Sequence, residues 1–117
     1  MTDNTFTKAD RLLKRPEFVQ LSNSGDRVYN RHYIAIYKAG LQQDRSRLGI
    51  TVTKKVGDAV TRNRIKRYVR EYFRTNRDSI QGKLDINIIA KKAVSDLTQA
   101  ESYISLRNIF NRLSTRM

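Results

Sequence analysis

The apolar residues of this chain recur with periods that change along its length, and each period predicts an element. Between Pro16 and Asn23, Phe18, Val19 and Leu21 give a short helix an apolar side. Pro16 suits its first turn, and Gly25 stands where it would end. From Arg27 to Lys38 β-branched and aromatic residues dominate, so the stretch reads as strand with a break near Asn30 and Arg31. Within it Ile34 and Ile36 share one face, and Tyr33, Ala35 and Tyr37 share the other. Leu48, Ile50 and Val52 then alternate with Gly49, Thr51 and Thr53, which predicts an antiparallel strand with one buried face. The polar residues 39–46 before it read as a hairpin connection.

The period then lengthens. Ile65, Tyr68, Val69, Tyr72 and Phe73 fall within an arc of roughly 140° when plotted at about 100° per residue, the core face of an amphipathic helix. Leu84, Ile86 and Ile88 return to alternation against Asp85 and Asn87, a last strand ending near Ala90. Because it follows a long helix, it is expected to pair in parallel with the strand ending at Lys54 through a helical crossover. Thr98 and Glu101 have capping-box spacing, and Tyr103, Leu106, Phe110 and Leu113 continue as a core-facing helix. The order α-β-β-β-α-β-α describes an α+β fold, a four-stranded sheet packed by helices.

At 117 residues the chain has room for one domain, read as a single RNA-binding domain over 1–117 with a flexible polar tail over about 1–9. Charge narrows the partners: 24 Lys and Arg against 11 Asp and Glu leave +13, the footprint of a nucleic-acid binder. No apolar run nears the length of a membrane span and no lipidation motif occurs, so a membrane partner is not expected. The lack of cysteine removes disulfides and thiolate metal sites, and with no signal-peptide pattern the expected location is cytoplasmic.

The charge is concentrated on the long helix. Opposite its apolar arc lie Asn63, Lys66, Arg67, Arg70, Arg74 and Arg77, with Arg62 and Arg64 on the two shoulders. A helix built for stability would alternate Glu with Lys at four-residue spacing. Here Glu71 and Asp78 alone stand near seven cations, a face that repels itself unless a polyanion covers it. Autonomous chemistry finds little support. The carboxylates are scattered rather than paired on one face, and His32 has no second histidine for an acid–base pair. Gly49 and Gly57 are isolated and form no phosphate loop.

The run Val-Thr-Lys-Lys-Val-Gly at 52–57, followed by Arg62-Asn63-Arg64 and Ile65-Lys66-Arg67, resembles the Arg-Asn-Arg signature of the protein subunit of bacterial ribonuclease P, and the likeness extends from about Arg11 to about Leu113. The resemblance implies a left-handed crossover between the parallel strands, where pattern alone favours the right hand. It also implies a ribonucleoprotein that removes the 5′ leader of precursor tRNA. In it the RNA subunit performs magnesium-dependent hydrolysis, the protein binds no cofactor, and one protein accompanies each catalytic RNA. The residues implied at the catalytic RNA are Lys54, Lys55, Arg62, Asn63, Arg64, Lys66, Arg67 and Arg70. Those implied at a leader-binding cleft are Phe18, Asn30, Arg31, Ile34, Ile36 and Tyr37.

Periodicity alone assigns Phe18, Ile34 and Ile36 to plain core, and both readings stand at this point. The chain departs from the family pattern at Ser22 and Ile36, where aromatics occur in relatives, so base stacking is expected to be weaker or moved to Tyr33 or Tyr37. A ribosomal or other structural RNA-binding protein and a self-sufficient RNA-cleaving enzyme are the rival functions.

Overall fold

A computed structural model describes residues 11–12, 15–40, 46–77 and 83–115. The N-terminal tail, Asp78 and most of the connection after residue 39 lie outside them. Helix α1 (Arg15–Ser24) leads into strands β1 (Asp26–Tyr29), β2 (Tyr33–Ala39) and β3 (Arg47–Thr51). Helix α2 (Ala59–Asn76) crosses to β4 (Leu84–Ala90), and a short 3-10 helix (Lys92–Asp96) precedes α3 (Gln99–Thr115). The predicted order α-β-β-β-α-β-α is observed; the 3-10 turn, which buries Val94, was not expected.

The sheet runs β1-β2-β4-β3, mixed in direction. β1 and β2 form an antiparallel hairpin around the break at Asn30 and Arg31, and β4 pairs antiparallel with β2 and parallel with β3. The parallel pairing across the α2 crossover is as expected. The hairpin between β2 and β3 is corrected, because β4 lies between them and β3 has only a parallel neighbour among the described strands. An alternation such as Leu48-Gly49-Ile50-Thr51 states which face is buried but not which strand pairs beside it.

Alternation sorts the strand residues into two unlike faces. Tyr33, Ala35, Tyr37, Leu48, Ile86 and Ile88 join Ile65, Val69, Phe73, Leu106, Ile109 and Leu113 in the main core under α2 and α3. Tyr72 stacks on Phe110 at 5.4 Å and meets Tyr103 edge-on at 5.7 Å, which ties α2 to α3. Each fully buried side chain of this kind contributes about 1.5 to 3 kcal/mol. On the other face Leu12, Leu21 and Ile36 form a small second cluster with half-buried Phe18, Ile34 and Ile89, packed beneath α1 and the segment at Leu12.

The helix ends follow from local chemistry. Asp58 caps α2 by accepting from the Thr61 amide at 2.8 Å, and that bond, helped by the charges of Arg62 and Arg64, holds its carboxyl below the usual range. The capping box before α3 forms as expected, with Thr98 N donating to Glu101 at 2.9 Å and Glu101 N donating to Thr98 Oγ1 at 3.2 Å.

Candidate nucleic-acid interface

The turn between β3 and α2 brings Val56 into the core and leaves Lys54 and Lys55 exposed at its outer side. From there α2 carries its cations in three directions. Asn63, Lys66 and Arg70, about one turn apart, face a groove of about 370 Å³ that is also lined by Arg11, Leu12, Phe18 and Gly49. Arg67 stands exposed on the outer surface of the helix. Arg62 folds back over the helix start, its Nε 3.4 Å from the Asp58 carbonyl. Arg64 turns away from the groove and donates from Nη2 to the Ser95 carbonyl at 2.8 Å, docking α2 onto the 3-10 helix. The signature triplet is therefore split: Asn63 faces the groove, while the two arginines flank it.

The groove joins this basic stripe to the α1 side of the sheet. Phe18 lies over Gly49, and a Cβ built on Gly49 would stand 2.5 Å from the Phe18 ring, so the absence of a side chain there is what admits the ring. Arg47 fixes the helix that carries Phe18. Its Nε and Nη2 donate to the two oxygens of Asp85, each at 2.9 Å, and its Nη1 pairs with Glu17 of α1 at 2.8 Å. This fork from β3 to β4 and α1 was missed in the sequence, where Arg47, Asp85 and Glu17 share no spacing rule. Arg27 of β1 adds a second tie, donating to the Ser22 carbonyl at 3.2 Å.

Of the residues expected at a leader cleft, the structure gathers some and disperses others. Phe18 and Ile34 are half-buried on the α1 side. Ile36 is on that side too, but it is 1% exposed beneath Leu21, so it supports the floor and offers no surface. Tyr37 is corrected: it is 6% exposed and belongs to the α2 and α3 core, as the strand's alternation requires. Tyr33, the other expected substitute for stacking, is fully buried there, its hydroxyl 2.6 Å from Ser102 Oγ and pushed up to about 12 by burial. Asn30 is also corrected. Its Oδ1 accepts from the His32 and Tyr33 amides, both at 2.9 Å, and its Nδ2 reaches the Ser105 carbonyl and hydroxyl at 3.0 Å, so it builds the β1–β2 turn against α3. Arg31 is exposed in that turn.

His32 sits beside the same turn with Nδ1 3.0 Å from Ser105 Oγ, and burial followed by the charge of Arg31 holds its pKa below the ordinary value. Among the described residues no three His, Cys, Asp or Glu side chains gather as a metal site, and no helix is long and apolar enough to cross a membrane. The site's resources are cations, amides and an apolar cleft, suited to holding a polyanion.

A mixed four-stranded sheet with an arginine-rich crossover helix beside an apolar groove defines a strongly basic α+β protein with a surface suited to a polyanion. The Ribonuclease P family matches residues 6–114, and the chain belongs to that family. It is 54% identical over 110 residues to the ribonuclease P protein component of Desulfatibacillum aliphaticivorans, covering 94% of this chain and 92% of that one. Among solved structures it is similar to the ribonuclease P protein of Staphylococcus aureus, with a TM-score of 0.85, 35% identity, and coverage of 91% of this chain and 96% of that one. The Thermotoga maritima ribonuclease P protein gives 0.80 at 33% identity, covering 87% and 96%.

Proposed function

We propose that the chain is the protein subunit of a ribonuclease P ribonucleoprotein, binding the catalytic RNA with α2 and the single-stranded 5′ leader of precursor tRNA in the α1 cleft. The observation that carries this reading is the continuous groove in which Phe18 and Gly49 meet Asn63, Lys66 and Arg70. The residues that line this groove include three cations and no carboxylate, so an RNA strand following it would meet no acidic lining. Lys54, Lys55, Arg62, Lys66, Arg67 and Arg70 supply charge to phosphates, and Asn63 can donate to and accept from a base edge. Arg64 acts largely through the 3-10 helix, holding α2 in place. In the cleft Phe18 and Ile34 offer an apolar surface to unpaired bases.

The chain's own contribution to leader removal is to bind and orient the substrate. Hydrolysis is assigned to the RNA subunit with magnesium, and one protein is assigned per catalytic RNA. Reconstitution tests the assignment. Precursor tRNA should be cut at the 5′ leader when the catalytic RNA and magnesium are present and the protein should lower the substrate concentration needed. Cutting by the protein alone would establish a self-sufficient nuclease, and no effect of the protein, with co-sedimentation on ribosomes, would establish a structural RNA binder.

A further inference from the structure

The open sheet face holds one large aromatic that the cleft described above does not use. Tyr29 pairs with Ile34, Ile34 with Ile89, and Ile89 with Thr51, so these four residues form a row across all four strands. Directly opposed residues project to the same side, and Ile34 and Ile89 pack with the cluster under α1, so Tyr29 projects to that side as well. The neighbouring pair Val28 and Ala35 points into the main core instead. Tyr29 is 64% exposed, the only aromatic among the strongly exposed large apolar side chains of the described residues.

Its position is nonetheless well fixed. The Lys91 ammonium lies 5.3 Å from the ring centroid and donates to the Asn30 carbonyl at 2.7 Å. Arg112 of α3 donates to the Tyr29 carbonyl at 2.6 Å. Lys91 and α3 thus hold the residue in place while most of the ring stays open to solvent, the arrangement of a platform whose ordering cost is met before binding. Lys91 beside the ring adds charge for the phosphate that accompanies a stacked base. Strands about 4.8 Å apart place Tyr29 about 14 Å across the sheet from the β3 edge, where Phe18 covers Gly49. A few nucleotides of single-stranded RNA would bridge that distance over Ile34 and Ile89.

We propose that Tyr29 is a base-stacking residue that extends the single-strand path from Phe18 to the β1 edge, with Lys91 contacting the adjoining phosphate. The inference rests on the leader reading above and adds to it a second aromatic contact and a length requirement. Tyr29 takes on the role that the aliphatic Ile36 and the exposed Ser22 leave open and that buried Tyr33 and Tyr37 do not perform.

The test uses the protein assembled with its catalytic RNA, and compares precursor tRNAs with leaders of one to ten nucleotides and mature tRNA. Tyr29→Ala is expected to weaken binding of the long-leader substrates about ten-fold, to leave one-nucleotide leaders and mature tRNA unchanged, and to be restored by Tyr29→Phe. Lys91→Ala should weaken the same long-leader substrates and lower the salt dependence of their binding by about one phosphate contact. Parental affinity of Tyr29→Ala for long leaders, with a leader-specific loss in Phe18→Ala, would overturn this inference and keep the leader reading. Parental affinity in both variants would overturn both. An equal loss for mature tRNA would place the ring against another part of the RNA and overturn the assignment to the leader.

Discussion

The two faces of the sheet are built from alternate residues of the same strands, yet they do different work. On the α2 and α3 side Tyr33, Ile86, Ile88, Phe73, Leu106 and Ile109 are sealed. On the α1 side, among the described residues, Leu12, Leu21, Ile36 and Asn87 are buried, while Phe18, Ile34 and Ile89 are half-buried and Tyr29 is exposed. A helix of ten residues cannot roof four strands. Among the described residues the larger core therefore lies on one face, and the other combines a small buried cluster with partly exposed apolar side chains, bordered by cations from α2. Where the second layer of a sandwich is incomplete, the uncovered part is the place to look for a ligand.

Substitutions that separate the faces test this division. Phe73→Ala should have the largest effect, lowering stability by about 3 to 5 kcal/mol in thermal or denaturant unfolding, with no preference among RNA substrates. Arg47→Ala should come next, costing about 1 to 3 kcal/mol because it leaves Asp85 and Glu17 without their forked partner. Arg47→Lys should restore little, since an ammonium cannot bond both carboxylates in the same geometry. Lys66→Ala with Arg70→Ala should leave unfolding nearly unchanged. The pair should reduce the slope of log affinity for the catalytic RNA against log salt by about 1.5, as expected for two lost phosphate contacts.

The smallest effect concerns His32. Its folded pKa lies below 6.5, so between the two values the unfolded chain binds more protons. The contribution is present above 6.5 and is lost as pH falls through the folded pKa. His32→Gln should flatten the stability profile in that window and nowhere else, as read from unfolding midpoints against pH.

Much of this was legible in the sequence. The helix from Ile65 to Phe73 and the strands around Ile34, Ile50 and Ile86 follow from periods that burial imposes, and the capping box at Thr98 is a local signal. Strand order was not legible, because pairing β4 between β2 and β3 depends on contacts distant in sequence. Assigning Tyr37 to the cleft overlooked the alternation that had already placed it opposite Ile36. Asn30 was misjudged for another reason: an asparagine that caps a turn and one that reads a base look alike until the partners, here Ser105 and the His32 amide, are in place. The role of Gly49 becomes visible only once Phe18 is seen against it.

The claim that one face stabilises and the other binds is tested most directly by measuring Phe18→Ala in two ways, by thermal unfolding of the protein and by affinity of its complex with the catalytic RNA for precursor and mature tRNA. The account predicts a loss of about 1 to 3 kcal/mol in precursor binding, a stability loss well below that of Phe73→Ala, and unchanged affinity for mature tRNA. Unfolding destabilised by the full 3 to 5 kcal/mol or so expected of a core phenylalanine, with equal loss for both RNAs, would contradict it and make the α1 side a second core.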